Sequence, residues 1–317
     1  MNIKYLIGKF IFAFAVFMSF PCWLYGKSEL TVSTDYEKGS FDLSGAVIVY
    51  DKSDEALIGD VARMFSSDIH AVTGKHVEVS ASMPNVPVVI LGTLRHNRWI
   101  DRLVAEKKLD VSEIEDGWEQ FVIKVIERPF KGVDKALVIA GSDRRGSAYG
   151  AFTVSEAIGV SPWYWWADVP VKKQPDLFVK ADYASMSPSV KFRGIFINDE
   201  DWGLYTWSSL NYEKELGDIG PRTYEKVCEL ILRLKGNMLA PAMHECTGAF
   251  YTHPESKVVA DKYGIMITTS HCEPLLFNNA SILEWDTAVD GEWNYKTNGA
   301  TICLLYTSDA ADDTPCV

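Results

Sequence analysis

The second half of the chain alternates strand and helix, and this pattern narrows the possible folds more than any other feature. Arg193–Asn198 (RGIFIN), Asn237–Met243 (NMLAPAM) and Ile265–Thr269 (IMITT) read as short apolar strands. Between them, Pro221–Leu234 and Val258–Tyr263 read as helices. Pro221 suits a first helical turn, where no amide hydrogen is needed. Val227, Leu230, Ile231 and Leu234 fall on one helical face. Gly264 ends the second helix. Strands that alternate with helices in this way lie parallel, joined by right-handed crossovers.

Polar residues gather where these strands end. The first strand runs into Asn198-Asp199-Glu200-Asp201-Trp202, the second into His244-Glu245-Cys246 and the third into His271-Cys272-Glu273. In a (β/α)8 barrel, the C-terminal strand ends carry the active site. Asp and Glu are also ordinary turn residues, so one such cluster would mean little; three at equivalent positions argue for a site.

The first half predicts a separate α/β layer. Ala46–Tyr50, Val77–Val79, Val86–Leu91, Gln120–Ile126 and Ala136–Ala140 read as strands. Leu57, Ile58, Val61, Met64, Phe65, Ile69 and Val72 make one apolar helical face, closed by Gly74. Ser142 or Asp143 caps a helix that runs to Ile158 and stops at Gly159. Pro175, Ser185, Ser187 and Pro188 mark residues 172–188 as the linker.

Composition removes several classes of function. With 47% hydrophobic and 23% charged residues the chain is a packed globular protein. A net charge of −12 with no basic face excludes nucleic-acid binding. The one long apolar run is N-terminal: Lys4 and Lys9 precede Phe10–Phe20, and Leu24-Tyr25-Gly26 offers a cleavage site. Residues 1–26 therefore read as a signal peptide and predict a secreted or periplasmic protein, in contact with membrane only through that segment. Six scattered Cys without C-x-x-C argue against a zinc module or a disulfide scaffold. Gly141-Ser142-Asp143-Arg144-Arg145-Gly146 lacks the glycine and lysine spacing of a nucleotide loop.

Carboxylates beside Trp suggest sugar chemistry. Glycoside cleavage needs one carboxyl to protonate the leaving oxygen and a second to activate water or attack carbon. Trp163, Trp165, Trp166, Trp202 and Trp207 lie close in sequence and could stack on sugar rings. At least half of them are expected to be packing residues, Trp165 and one neighbour first. His244-Glu245 and His271-x-Glu273 could instead ligate a metal, although no H-E-x-x-H or H-x-H occurs.

Several long motifs, in order, resemble glycoside hydrolase family 115. They are GSDRRGSAYG (141–150), IGVSPWYWWADVP (158–170), RGIFINDEDWGL (193–204), GDIGPRTY (217–224), PAMHECT (241–247) and SHCEPL (270–275). The resemblance implies a xylan α-glucuronidase that releases α-1,2-linked glucuronic acid or its 4-O-methyl ether from glucuronoxylan or its oligosaccharides. It implies inversion by general acid/base chemistry, no cofactor and no metal, and a homodimer in the full-length protein. Carried onto this chain, Asp199, Glu200, Asp201, Glu245 and Glu273 are the candidate catalytic carboxylates, with acid and base unassigned among them and the family's decisive pair expected on later strands. Arg193, Trp202, His244 and His271 are the candidate substrate-binding residues. A glucuronate needs a local cation, which Arg193, His244 or His271 could supply, or an Arg from later strands. Two other readings stand beside this one: another exo-glycosidase with a similar N-terminal domain, and a non-catalytic carbohydrate-binding protein.

The expected fold is α/β, with the N-terminal domain at residues 27–185 and the first strands and helices of a (β/α)8 barrel at 190–299. A barrel takes about 250 residues, so this catalytic domain is expected to be incomplete and the chain inactive as written. Residues 300–317 (ATICLLYTSDAADDTPCV) match nothing in the family's pattern and read as a non-native tail.

Overall fold

The computed structural model describes residues 29–197, 200–268 and 284–312. The signal segment read at 1–26 lies outside them. The fold is mixed α/β, with two sheets and helices packed against them. Among the described residues no helix is long and apolar enough to cross a membrane.

The first sheet has eight strands. They are β1 (Glu29–Ser33), β2 (Phe41–Asp42), β3 (Val47–Val49), β4 (Val79–Ser80), β5 (Val88–Thr93), β6 (Phe121–Phe130), β7 (Val133–Gly141) and β8 (Phe178–Ala184). Their order is β1-β8-β6-β7-β5-β3-β4, with β2 also on β8. β3, β4, β5 and β7 are parallel, while β6 pairs antiparallel with β7 and β8. Helices α1 (Ala56–Thr73), α2 (Arg98–Ala105) and α3 (Arg144–Ala157) cover it. Side chains alternate along the buried strands. Val89, Leu91, Leu137 and Ile139 enter the core with α1 and α3, and Val88, Ile90, Ala136 and Val138 enter a second core with α2.

Local chemistry sets the helix ends. Asp143, one of the two expected caps, accepts the Gly146 amide at 2.9 Å. Gly74 and Gly159 stop α1 and α3 in left-handed backbone, at φ 75° and 98°. The expected linker at 172–188 is corrected: β8 lies inside it and bonds to both β1 and β6. Val179 and Ala181 of β8 are buried, and Lys180 and Asp182 face outward.

The second sheet has the expected parallel order, β9 (Gly194–Phe196), β10 (Met238–Ala240) and β11 (Met266–Ile267), with β10 central. The connecting helices are α4 (Pro221–Arg233) and α5 (Pro254–Tyr263); α6 (Thr287–Asp290) and α7 (Tyr295–Asp312) follow. One apolar core runs without a break from Phe65 and Phe152 through Tyr224, Ile231 and Leu239 to Tyr263. Both sheets therefore share a core.

Candidate functional site

The three strands of the second sheet are in register, and this brings their ends together. Phe196 stands opposite Ala240, and Leu239 opposite Ile267. The Ile197 amide donates to Ala240 O at 3.0 Å, and the Thr268 amide to Leu239 O at 2.9 Å. The chain thus leaves β9, β10 and β11 at one edge, after residues 197, 240 and 268. Those exits lead into the polar clusters singled out above.

Each candidate residue can be placed from there. Glu200 and Asp201 open a helical segment, residues 200–212, made of wide i→i+5 turns flanking Tyr205–Trp207. Such widened turns are rare, and those that occur are frequently at functional sites. Trp202 on this segment is 90% exposed, unusually open for an indole. His244 and Glu245 are exposed in the loop after β10. Asp199, His271 and Glu273 lie outside the described residues.

Arg193 precedes β9, at the end of the strand opposite the carboxylate cluster. Its guanidinium is used there: it ion-pairs with Glu119 and donates to Lys235 O at 2.9 Å and Val190 O at 2.8 Å. The guanidinium is thus engaged at the roots of the second sheet's strands.

The indoles divide as expected. Trp165 meets Trp166 at 4.9 Å and Trp207 at 5.5 Å edge-on, and Tyr212 stacks on Trp207 at 5.0 Å. These rings pack the helical segment against the first sheet's unit, and Trp202 stays outside the group.

The sequence reading missed the residues that brace the loop after β10. Asp218 Oδ2 accepts the Gly248 amide at 3.1 Å and lies 2.8 Å from His253 Nε2. Glu284 Oε1 accepts the Ala249 amide at 3.1 Å. Thr247 Oγ1 accepts the His244 amide at 3.1 Å and closes the turn that carries His244 and Glu245. Behind them, the buried Glu213 carboxylate accepts the amides of Gly220, Arg222 and Thr223 at 3.1, 3.0 and 2.8 Å, and so caps α4. Asp218 was legible only as part of the GDIG motif, and nothing local marked His253 as its partner. Among the described residues, no three His, Cys, Asp or Glu side chains converge as a metal site. A cleft of about 270 Å³ lies elsewhere, between α1, α4 and α5, where Tyr164 and Tyr263 donate to Glu229 and Glu225.

Residues 185–316 match the sequence profile of glycosyl hydrolase family 115. A solved family GH115 4-O-methyl-α-glucuronidase, with specificity for decorated arabinogalactans, is 34% identical over 83% of this chain, with a TM-score of 0.69. The chain belongs to glycosyl hydrolase family 115.

This family 115 chain spans about a third (33%) of that solved relative's length. The matched range also takes in residues 300–316, which the sequence reading set apart from the family. A Streptomyces plicatus β-hexosaminidase is similar at a lower level, with 12% identity over 73% of this chain and 42% of its own, and a TM-score of 0.43. No curated protein matches the chain.

Proposed function

We propose that this chain is part of an exported glycoside hydrolase that releases α-1,2-linked glucuronic acid, or its 4-O-methyl ether, from a decorated polysaccharide, xylan first. The supporting observation is the shared exit edge of β9, β10 and β11 in a family 115 chain, where Asp199, Glu200, Asp201, His244, Glu245, His271 and Glu273 follow the strand ends. In this reading the second sheet is the first part of a (β/α)8 barrel, and these residues line its catalytic end. One carboxyl protonates the glycosidic oxygen, and a second draws a proton from water attacking the opposite face of the sugar. The anomeric centre is thereby inverted. Trp202 offers an apolar face to a sugar ring, and His244 and His271 are cationic candidates for the uronate.

The solved relative acts on decorated arabinogalactans, and this favours a second substrate class beside xylan. The test uses protein expressed from the complete gene containing these residues, so that it does not depend on where this chain stops. The protein is incubated with glucuronoxylan and with glucuronidated arabinogalactan, and released uronic acid is measured with its anomeric configuration. α-Linked acid appearing first as the β-anomer is the expected result. No acid from either polymer overturns the proposal, and retained configuration overturns its mechanism.

A further inference from the structure

Glu119 lies in the first sheet's unit, just before β6, far in sequence from the polar strand ends. Its carboxylate is fully buried and engaged on both oxygens. Oε1 accepts Arg145 Nε at 2.6 Å and Asn237 Nδ2 at 2.7 Å, and Oε2 pairs with Arg193. Each of these partners leads to the root of a different strand in the second sheet. Arg193 immediately precedes β9. Asn237 immediately precedes β10, and its Oδ1 accepts the Arg193 amide at 2.9 Å. Arg145 donates from Nη1 to Gly264 O at 2.9 Å, two residues before β11. Tyr149 adds a fourth tie, donating to Gly236 O at 2.7 Å.

The backbone at this node is itself constrained. Glu119 has φ 54°, left-handed backbone that a non-glycine residue adopts only where its surroundings compel it. The Asp143 carboxylate, which caps α3, accepts the Glu119 amide at 2.6 Å and holds it there. Each planar guanidinium at the node also donates to a strand-root carbonyl, Arg145 to Gly264 O and Arg193 to Lys235 O, which ties its angle on the buried carboxylate to the backbone.

We infer that Glu119 is a positioning residue for the candidate active site: it sets the relative height of β9, β10 and β11 at their roots, and hence where their opposite ends present the carboxylates. A three-residue strand spans about 10 Å, so a displacement at the root reaches the other end almost undiminished. Misplacing reacting groups by about 1 Å can cost about 10²-fold in rate. The activity part of this inference rests on the function proposed above; the structural part does not.

Glu119→Gln and Asn237→Ser are compared with the wild type, with Asp182→Asn on the exposed face of β8 as control. Hydrogen exchange on the 317-residue chain reads the amides of Ile197, Met266 and Thr268, which bond between strands of the second sheet. In Glu119→Gln these are expected to exchange roughly tenfold or more faster, while those of Val88–Thr93 keep their protection. On the complete gene product, kcat for uronate release is expected to fall about 10–10²-fold with KM within about twofold. If exchange at the second sheet is unchanged, or rises equally in β5, the positioning role is overturned. Should Glu119→Gln fail to fold, Asn237→Ser, which frees one root, is read in the same way. A wild type inert on both polymers overturns the proposed function, and the exchange pattern still decides the role of Glu119.

Discussion

Arg233 of α4 and Asp68 of α1 form a forked ion pair, Nη1 to Oδ2 at 2.8 Å and Nη2 to Oδ1 at 3.1 Å, with both side chains almost wholly buried. The same guanidinium donates from Nε to Glu229 Oε1 at 2.9 Å and lies over the rings of Phe152 and Tyr164. One arginine thus joins the first sheet's helices to the second sheet's first crossover helix. With the Glu119 node, this gives the shared core two buried ionic ties.

Removing Arg233 leaves the buried Asp68 carboxylate without its cation, while Glu229 keeps Lys226 at 2.9 Å. Arg233→Met is expected to cost about 3–5 kcal/mol, the usual range for breaking one side of a buried pair. Adding Asp68→Asn should recover part of that, because the loss comes mostly from leaving a charge unpaired. Urea unfolding of the wild type, the single variant and the double variant measures both numbers. A single variant within about 1 kcal/mol of the wild type would show that the pair is no tie.

The acid limb of stability should report Glu229. Burial pushes its carboxyl up, but Arg233 and Lys226 outweigh burial and hold it below the ordinary 4.5. A carboxyl held down in the fold contributes stability that is complete above its unfolded value and lost as pH falls through its folded one. Asp68 acts in the opposite sense, since burial outweighs Arg233 and raises it above 3.8. Glu229→Gln should therefore lose most relative to the wild type near pH 7, and the gap should close as pH falls below about 4.5. Thermal melts at pH 7, 5 and 3.5 test this, and a gap that widens in acid contradicts it.

Gly194 opens β9 where two backbones nearly touch. A Cβ there would lie 2.1 Å from Met238 O and 2.6 Å from its carbonyl carbon. Neither is a flexible side-chain end, so one strand must move. Gly194→Ala is expected to destabilise by about 1–3 kcal/mol. Differential scanning calorimetry against the wild type measures it, and an unchanged melting temperature would show that the two strands can part at no cost.

The readable and unreadable parts of this fold separate by the range of the interaction. β9, β10 and β11 are short apolar runs between capped helices, so their order and the shared edge of their ends follow from spacing alone. α2 was missed because only Ile100 and Leu103 of its eight residues are buried, too short a stripe for periodicity to show. β8 was hidden by Pro175 and Pro188, which drew attention from the alternation of Val179 and Ala181 with Lys180 and Asp182. The engagement of Arg193 was unreadable for another reason: its partner Glu119 is 74 residues away, and no local pattern announces that pairing.

The strand-end carboxylates can be separated by kinetics in the complete gene product. Asp199→Asn, Glu200→Gln, Asp201→Asn, Glu245→Gln and Glu273→Gln each remove one charge at nearly constant shape. A residue that transfers a proton should lower kcat by roughly 10²–10⁴-fold. A residue that only holds the sugar should act mainly on KM. Loss of the general acid should be partly masked with an aryl glucuronide whose leaving group needs no proton, and loss of the base should not. Trp202→Ala should raise KM for polymer more than for the aryl glucuronide, because its open indole can meet only a sugar ring that the small substrate lacks. If all five carboxylate variants keep kcat within about threefold, the proton-transfer pair lies on other residues and the strand-end clusters serve binding alone.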